Sequence, residues 1–228
     1  KDIGYYFSEI DISIERLTDN KVNINYDITL GEKAKIKKIS FIGDKIFKDR
    51  KLKSVILSEE YKPWKFLSGK KYLNEEMISY DERLLKNFYL NKGFYNVQIK
   101  NSSAIFNDNH FNLVYNIDAG NVYTIRNTQL ILPDDFDKKD FKDVEKILKK
   151  LKNEKYSLNK LNKVVKQIDR ISVSRLYDFI DASIETEIVK NDKLDIKFVV
   201  KESEKFYVKK INVIGNNITE ERVIRDML

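Results

Sequence analysis

The chain has 228 residues, of which 42% are hydrophobic and 35% are charged, and its net charge is +7. It contains no cysteine and a single histidine, which excludes disulfide bonds, thiolate metal sites and clusters of histidine ligands. No apolar run approaches the roughly 20 residues that a transmembrane helix requires. The positive charge would suit an acidic partner, but lysine is spread along the whole chain, so we interpret it as an evenly charged surface.

A β-hairpin is the first predicted element. Apolar and polar residues alternate over 10–14 and again over 22–30, which is the period of strands that bury one face. Between these runs, residues 18–20 have the composition of a tight turn, because Asp and Asn tolerate left-handed backbone. We therefore expect two antiparallel strands with one buried face and one solvated face.

A strand and two helices are predicted next. Residues 34–42 indicate a strand with a bulge or a change of face at 37–38, because the apolar spacing there departs from strict alternation. A first helix is expected over about 49–58. The second helix begins after Asn74, a favourable N-cap, and stops at Gly93. The apolar face of this second helix comprises Met77, Tyr80, Leu84, Leu85 and Phe88.

A hairpin completes this unit, and the same order of elements then begins again. From Val122 onward the pattern predicts a strand, helices over about 139–151 and 158–176, and another hairpin over 182–200. Ser157 is the predicted N-cap of the second of these helices. The last strand of the first unit carries its apolar residues in strict alternation, at Phe111, Leu113, Tyr115 and Ile117.

Repetition shows that these elements form equivalent units. Residues 35–44 and 207–216 share one phrase, in which an apolar residue, Lys-Lys-Ile and two further apolar residues precede Gly and then Asp or Asn. Gly31 and Gly120 close successive units. Recurrence at a fixed interval is typical of a modular array. The predicted fold is therefore α+β, with tandem β-α-α-β-β units, each a three-stranded mixed sheet with two helices on one face.

The units resemble the polypeptide-transport-associated (POTRA) domain family. The phrase over 36–44, repeated over 208–216, is similar to the first strand and turn of that family. The helix end over 85–94 is similar to the family's aromatic-Tyr pair followed by Gly and an aromatic residue. The second complete copy departs from these two phrases at 132–133 and 178–179, while its order of elements is retained.

The resemblance divides the chain into four parts. It extends to one outer-membrane assembly protein of the family, whose third domain has a loop similar to 63–72 and whose fifth domain has an entry similar to 206–211. It therefore implies that the third and fourth domains are complete and that the second and fifth are partial. The implied boundaries are the C-terminal hairpin of a truncated domain over 1–31, complete domains over 32–119 and 120–203, and the start of a further truncated domain over 204–228.

The resemblance also implies a function. It places the chain on the periplasmic side of the bacterial outer membrane, ahead of its own C-terminal membrane β-barrel. There it would receive unfolded outer-membrane protein segments by β-strand addition, since an extended chain can pair with an open sheet edge through its backbone. It would also dock accessory lipoproteins of an assembly complex. No enzymatic activity, cofactor or nucleic-acid partner is expected.

Two alternatives remain open at this point. The chain could be the POTRA region of a related secretion or organellar import barrel protein. In a different functional class, it could be a basic nucleic-acid-binding module, which would require Lys and Arg to cluster with exposed aromatic side chains. The even spread of lysine argues against the second alternative.

The candidate binding residues lie on the middle strand and in one loop of the first complete unit. Trp64 and Phe66 are candidate anchors for a partner, because aromatic residues concentrate at interface centres. The alternative for both is that they cover their own domain's helices or brace the next domain. The predicted client-binding strand, which acts through its backbone, comprises Asn96, Val97, Gln98, Ile99, Lys100 and Asn101.

No catalytic, cofactor-binding or metal-binding residue is predicted. His110 lies beside a predicted turn and is expected to be an exposed hairpin residue. The acidic residues Asp134, Asp135, Asp137 and Asp140 lack the ordered spacing and the glycine of a calcium loop. We interpret them as a solvated loop and helix start, where acidic residues suit the helix dipole.

Overall fold

A computed structural model describes most of the chain, in segments. The described residues are 5, 8–17, 21–31, 35–63, 72–73, 75–107, 110–175, 177 and 180–202. Among the predicted features, Trp64, Phe66, Asn74 and residues 18–20 and 204–228 lie outside them. In chain order the elements are β1 (Glu9–Arg16), β2 (Val22–Thr29), β3 (Lys35–Asp44), α1 (Asp49–Lys53), α2 (Glu75–Leu90), β4 (Gln98–Asn107), β5 (His110–Asp118), β6 (Thr124–Ile131), α3 (Lys142–Leu151), α4 (Leu158–Ser174), β7 (Ile180–Val189) and β8 (Lys193–Glu202).

Among the described residues, two of the three sheets have the same strand order. In the first module, which spans β3 to β5, the order is β3-β5-β4, with β3 parallel and β4 antiparallel to the central strand. In the second module, which spans β6 to β8, the order is β6-β8-β7 with the same directions. Strands β1 and β2 form a separate antiparallel pair. The predicted α+β class with mixed sheets is confirmed.

The β1–β2 hairpin has an apolar face, as its alternation predicts, but that face is not buried among the described residues. Ile12 pairs with Tyr26 and Ile14 pairs with Ile24, so the apolar side chains do share one side of the ribbon. Every residue of both strands is nevertheless exposed. A two-stranded ribbon needs a further layer to cover its apolar face, and the described residues supply none here.

The core of the first module lies between its sheet and its helices. Strand β5 buries every second residue, as its alternation predicts, and Tyr115 and Ile117 are completely inaccessible. The register of β3 against β5 shifts between Ile36 and Lys38. This irregularity lies where the sequence predicted it, and it brings Ile36 and Ile39 onto the buried face. Leu52, Leu85 and Tyr89 from the helices complete the core.

Both helices of the first module differ from their predicted form near Asp81. This residue is fully buried in α2, and its carboxylate accepts the amide hydrogens of Leu57 at 2.6 Å and Ser58 at 3.2 Å. Helix α1 ends at Lys53 instead of continuing to about residue 58, and the amides of Leu57 and Ser58, which lie beyond its end, donate to Asp81. The predicted apolar face of α2 is also rotated, because the buried stripe is Asp81, Leu85 and Tyr89, whereas Tyr80 is exposed.

The second module repeats this arrangement with different side chains. Its β6 register shifts between Ile125 and Asn127, and Ile125 is buried against the central strand β8. Helices α3 and α4 bury Leu148 and Ile168 in the same core. Among the described residues, no helix combines the length and the apolar character needed to cross a membrane.

The two modules meet where α2 ends. Gly93 has a φ of +100°, and a Cβ atom added to it would lie 2.9 Å from Cγ1 of Val122. The Gly93 carbonyl accepts the amide hydrogen of Tyr123 at 2.8 Å. The ring of Tyr95 packs edge-on against those of Tyr123 and Tyr156, with centroids 5.7 and 5.0 Å away. Glycine is thus required for the close approach of the modules, because only it adopts this backbone without strain.

Helix α4 is capped from the other module. The predicted N-cap, Ser157, makes no capping bond with its side chain. Instead, Oδ1 of Asn91 at the end of α2 accepts the amide hydrogen of Asn159 at 2.7 Å and the hydroxyl hydrogen of Ser157 at 3.1 Å. Asn91 therefore supplies the acceptor that an N-cap residue normally supplies within its own helix. Ser157 does occupy the predicted N-cap position, but its side chain does not make the capping bond.

Candidate functional site

Each three-stranded sheet has two outer strands, whose unpaired backbone groups make them the first places to look for an interaction site. The outer strands are β3 and β4 in the first module and β6 and β7 in the second. Unpaired N–H and C=O groups on an outer strand can hydrogen-bond to another chain. The four edges differ in how far neighbouring chain already covers them.

The β3 edge is partly occupied by the loop that follows α1. The amide of Tyr61 donates to the carbonyl of Ile36 at 2.7 Å. Lys35 also forms an isolated antiparallel bridge with Tyr72. The N-terminal part of this edge is therefore already paired within the module.

The β6 edge is covered in the same way by the loop between α3 and α4. The amide of Ile125 donates to the carbonyl of Glu154 at 2.8 Å, and the amide of Asn153 donates back to the carbonyl of Ile125 at 2.7 Å. Thr124 and Lys155 form an antiparallel bridge beside these bonds. The two parallel outer strands are therefore poor candidates, and the antiparallel outer strands β4 and β7 remain.

Strand β4 contains part of the predicted client-binding segment. The strand begins at Gln98, so Asn96 and Val97 precede it. The Asn96 amide donates to the Tyr123 hydroxyl at 2.7 Å, and Val97 is only 3% exposed in the core. These two residues belong to the module junction and to the core, which corrects their assignment to the edge. Gln98, Ile99 and Lys100 do lie on the outer strand.

The β4 edge is interrupted shortly after it begins. Its register against β5 shifts between Lys100 and Ser103, so Asn101 lies at an irregularity. A bulge on an outer strand locally disrupts the ladder and twists the strand. Beyond the shift, the pairing continues from Ser103 to Asn107, where Ile105 is 55% exposed.

A cleft of about 390 Å³ runs between α2 and the start of β4. Its walls carry charges of both signs. Lys100 also contacts the adjacent strand, with its Nζ 2.6 Å from Oδ2 of Asp118. The hydrogen bond from the Lys100 ammonium holds the pKa of Asp118 below its usual range. The cleft is lined by Glu82, Arg83, Lys86, Val97, Gln98, Ile99 and Lys100.

Strand β7 is the other antiparallel outer strand, and it lies outside the predicted client-binding segment. It pairs with β8 from Ile180 to Val189 without a shift of register. The signal was present in the sequence, because Ile180, Ala182, Ile184 and Ile188 alternate with polar residues.

The remaining candidates for chemistry have local structural contacts. His110 begins β5 and is half-buried, not exposed as expected. Asp140 accepts the Tyr177 hydroxyl hydrogen at 3.0 Å and lies 3.2 Å from Nε of Arg175. Within the described residues, no group of three or more His, Cys, Asp or Glu side chains could hold a metal ion. The roles proposed for Trp64 and Phe66 stay predictions, because both lie outside the described residues.

Comparison with known proteins finds a family match for part of the chain. Residues 34–120 match the POTRA family, described as a surface antigen variable number repeat. This match covers the first module from before β3 to just after β5.

Curated relatives match nearly the whole chain. The chain is 22% identical over 218 residues to the outer membrane protein assembly factor BamA of Neorickettsia risticii, which covers 95% of the chain and 29% of the relative. It is 26% identical over 251 residues to BamA of Buchnera aphidicola, which covers 98% of the chain and 36% of the relative. The chain thus spans about a third of the length of the curated relatives it matches.

A solved structure shares the fold. The crystal structure of the third to fifth POTRA domains of Haemophilus influenzae BamA aligns with a TM-score of 0.57 at 16% identity. The alignment covers 88% of this chain and 75% of that one.

Proposed function

We propose, from the premise that residues 34–120 are a domain of the POTRA family, that the chain is part of a BamA-like assembly protein and binds unfolded polypeptide. In this proposal it lies on the periplasmic side of the outer membrane and adjoins a C-terminal membrane β-barrel of the same protein. It receives outer-membrane protein segments at the edge of β4 and docks accessory lipoproteins of the assembly complex. The observation that carries the proposal is the open outer strand of the first module beside a cleft.

Strand addition explains how one site can accept many clients. The main chain of an added strand bonds to the β4 backbone, so affinity depends little on the client's sequence. The client's side chains alternate between the two faces of the extended sheet. One set lies on the side of α2, beside Arg83 and Lys86, and the other lies on the opposite face, beside Gln98 and Lys100.

The irregularity in β4 limits the length of this pairing. A client that follows Gln98 to Lys100 meets the shifted register before Ser103. Natural edges are often protected by such bulges, which prevent indiscriminate association. We therefore propose short, reversible pairing at this edge, which suits a receptor that must release each client for membrane insertion.

The absence of cysteine allows a direct test of this geometry. Lys100→Cys introduces a unique thiol at the edge, and Asn116→Cys places one at the paired position of the central strand β5. A disulfide needs Cβ atoms within about 3.5–4.5 Å. An added strand lies roughly 5 Å from β4 and about 10 Å from β5. A peptide of alternating apolar and polar residues with one cysteine should therefore be trapped by Lys100→Cys and not by Asn116→Cys.

Two results would contradict the proposal. Equal trapping at both positions would indicate non-specific disulfide formation, and absence of trapping at Lys100→Cys would indicate that no strand adds there. A folded Gln98→Pro variant in the Lys100→Cys background should trap less peptide, because proline removes a backbone donor from the edge. Circular dichroism of each variant checks that the sheet is intact.

A further inference from the structure

We infer that the outer edge of β7 is a second docking edge, and that it selects an extended segment in which apolar residues alternate with lysine or arginine. The inference rests on the proposed strand addition, but it concerns another module and a defined partner chemistry. Three observations support it: β7 pairs with β8 in an unbroken register, one face of β7 is acidic, and its other face is apolar.

Within the described residues, the β7 edge lacks three common protections of an outer strand, namely a bulge, a proline and a lysine, although it does carry acidic side chains. Its ten residues pair with β8 in one unbroken register, whereas β4 is interrupted. It contains neither proline nor lysine, although both are common on edges that must not recruit other chains. Its outer backbone groups therefore present a longer and straighter template than those of β4.

The open face of β7 is acidic. Asp181, Glu185 and Glu187 are separated by even intervals and so share one face of the strand. Across the sheet, Asp181 pairs with Lys201 and Glu185 pairs with Lys197, so both have a cationic neighbour on β8.

Glu187 differs from Asp181 and Glu185, because the residue opposite it on β8 is an acid. Its cross-strand partner is Asp195, and like charges directly opposite each other are destabilising. Arg126 binds Asp195 from the β6 side, with its Nε 2.8 Å from Oδ1. The compensating cation for this row thus lies on the far side of Asp195. A lysine or arginine on an added strand would face Glu187 from the side away from β8 and balance the row.

The other face of β7 favours apolar residues at the alternate positions of the partner. Ile184 is half-buried and Ile188 is 53% exposed, both on the side that α4 covers. An added strand would extend this apolar surface with its own side chains. The whole chain has a net charge of +7, which repels a cationic segment. Binding of such a segment here would therefore depend on the local acidic residues of β7.

The test uses two labelled peptides, one alternating lysine with valine and one alternating glutamate with valine, each with a terminal cysteine. Ser183→Cys on β7 should trap the lysine peptide, and Val199→Cys, its partner on β8, should not. The Glu187→Lys variant should weaken binding of the lysine peptide by roughly 2- to 30-fold, the range for a cross-strand charge pair changed from attraction to repulsion. This variant places lysine opposite Asp195, so it should remain folded.

Asp134→Lys is the matched control, since it makes the same charge change at an exposed loop position of the same module. Equal weakening by Glu187→Lys and Asp134→Lys would overturn the inference, because it would show an effect of net charge alone. Equal trapping of both peptides at Ser183→Cys would also overturn it, as would trapping at Lys100→Cys without any at Ser183→Cys. Trapping at Ser183→Cys without any at Lys100→Cys would leave the inference standing and count against β4 instead.

Discussion

Oδ1 of Asn91 lies 2.7 Å from the amide nitrogen of Asn159, although the two residues belong to different modules. The side chain of Asn91, one residue beyond the end of α2, thus caps α4 of the second module. The junction is further closed by the backbone bond between Gly93 and Tyr123 at 2.8 Å. The modules are therefore joined by specific polar contacts as well as by a short connection.

Asn91→Ala should destabilise the second module. Loss of an N-cap acceptor costs about 0.5–2 kcal/mol, so the free energy of unfolding should fall by that amount in urea titrations. Asn87→Ala is the control, because Asn87 is exposed on the same helix one turn earlier. If both variants lose equal stability, the bond from Asn159 does not contribute as a cap.

Gly93→Ala should be more damaging, for two separable reasons. The residue has a φ of +100°, and its Cβ would lie 2.9 Å from Val122. Backbone strain of this kind costs on the order of 1–3 kcal/mol. The double variant Gly93→Ala/Val122→Ala removes the collision and keeps the strain. In thermal denaturation, Gly93→Ala should therefore cost less stability in a Val122→Ala background than in the unsubstituted chain, but it should still cost some. If it cost nothing in the Val122→Ala background, a contribution from backbone strain would be excluded.

Asp81→Asn should weaken the first module. The carboxylate accepts hydrogen bonds from Leu57, Ser58 and the Tyr115 hydroxyl, the last at 3.0 Å. Asparagine offers one acceptor oxygen, and its NH₂ group would face N–H or O–H groups that now donate to the carboxylate. An unsatisfied buried group costs about 1–3 kcal/mol. Hydrogen exchange of the Leu57 and Ser58 amides should accelerate in the variant, and unchanged exchange would show that these bonds are dispensable.

Stability should fall in alkaline solution because buried tyrosines resist ionisation. Burial raises the pKa of Tyr89 and of Tyr156 from 10.0 to about 12. The unfolded chain loses these protons first, so the folded state is progressively disfavoured between about pH 10 and pH 12. The slope should be up to about 1.4 kcal/mol per pH unit and per tyrosine.

Tyr156→Phe provides the check on this prediction. The variant should show a shallower loss of unfolding free energy over the same pH range than the unsubstituted chain. Spectrophotometric titration of tyrosine absorbance gives an independent reading. If the part of the absorbance change that occurs at the highest pH is as large in Tyr156→Phe as in the unsubstituted chain, the effect belongs to other residues.

Sequence periodicity predicted the strands well because their burial is one-sided. The alternation of β5 and the irregular spacing at 37–38 both follow directly from which side chains must face the core. The helix face of α2 was less predictable. A buried carboxylate interrupts its apolar stripe, and distant donors, the amides of Leu57 and Ser58 and the Tyr115 hydroxyl, explain why Asp81 is tolerated there.

The candidate site was predicted only in part, and the reason is again long-range contact. The sequence indicated the outer strand correctly for Gln98, Ile99 and Lys100. It gave no sign that Asn96 bonds to Tyr123, because that contact depends on how two modules meet. The charge row that distinguishes β7 requires the register of β8, which local pattern alone does not specify.

Leu90 packs against the cores of both modules. Neither core can be fully assembled while the other is loose, since each would then leave this side chain partly in water. The two modules should consequently unfold cooperatively, in one calorimetric transition, and not as two independent domains.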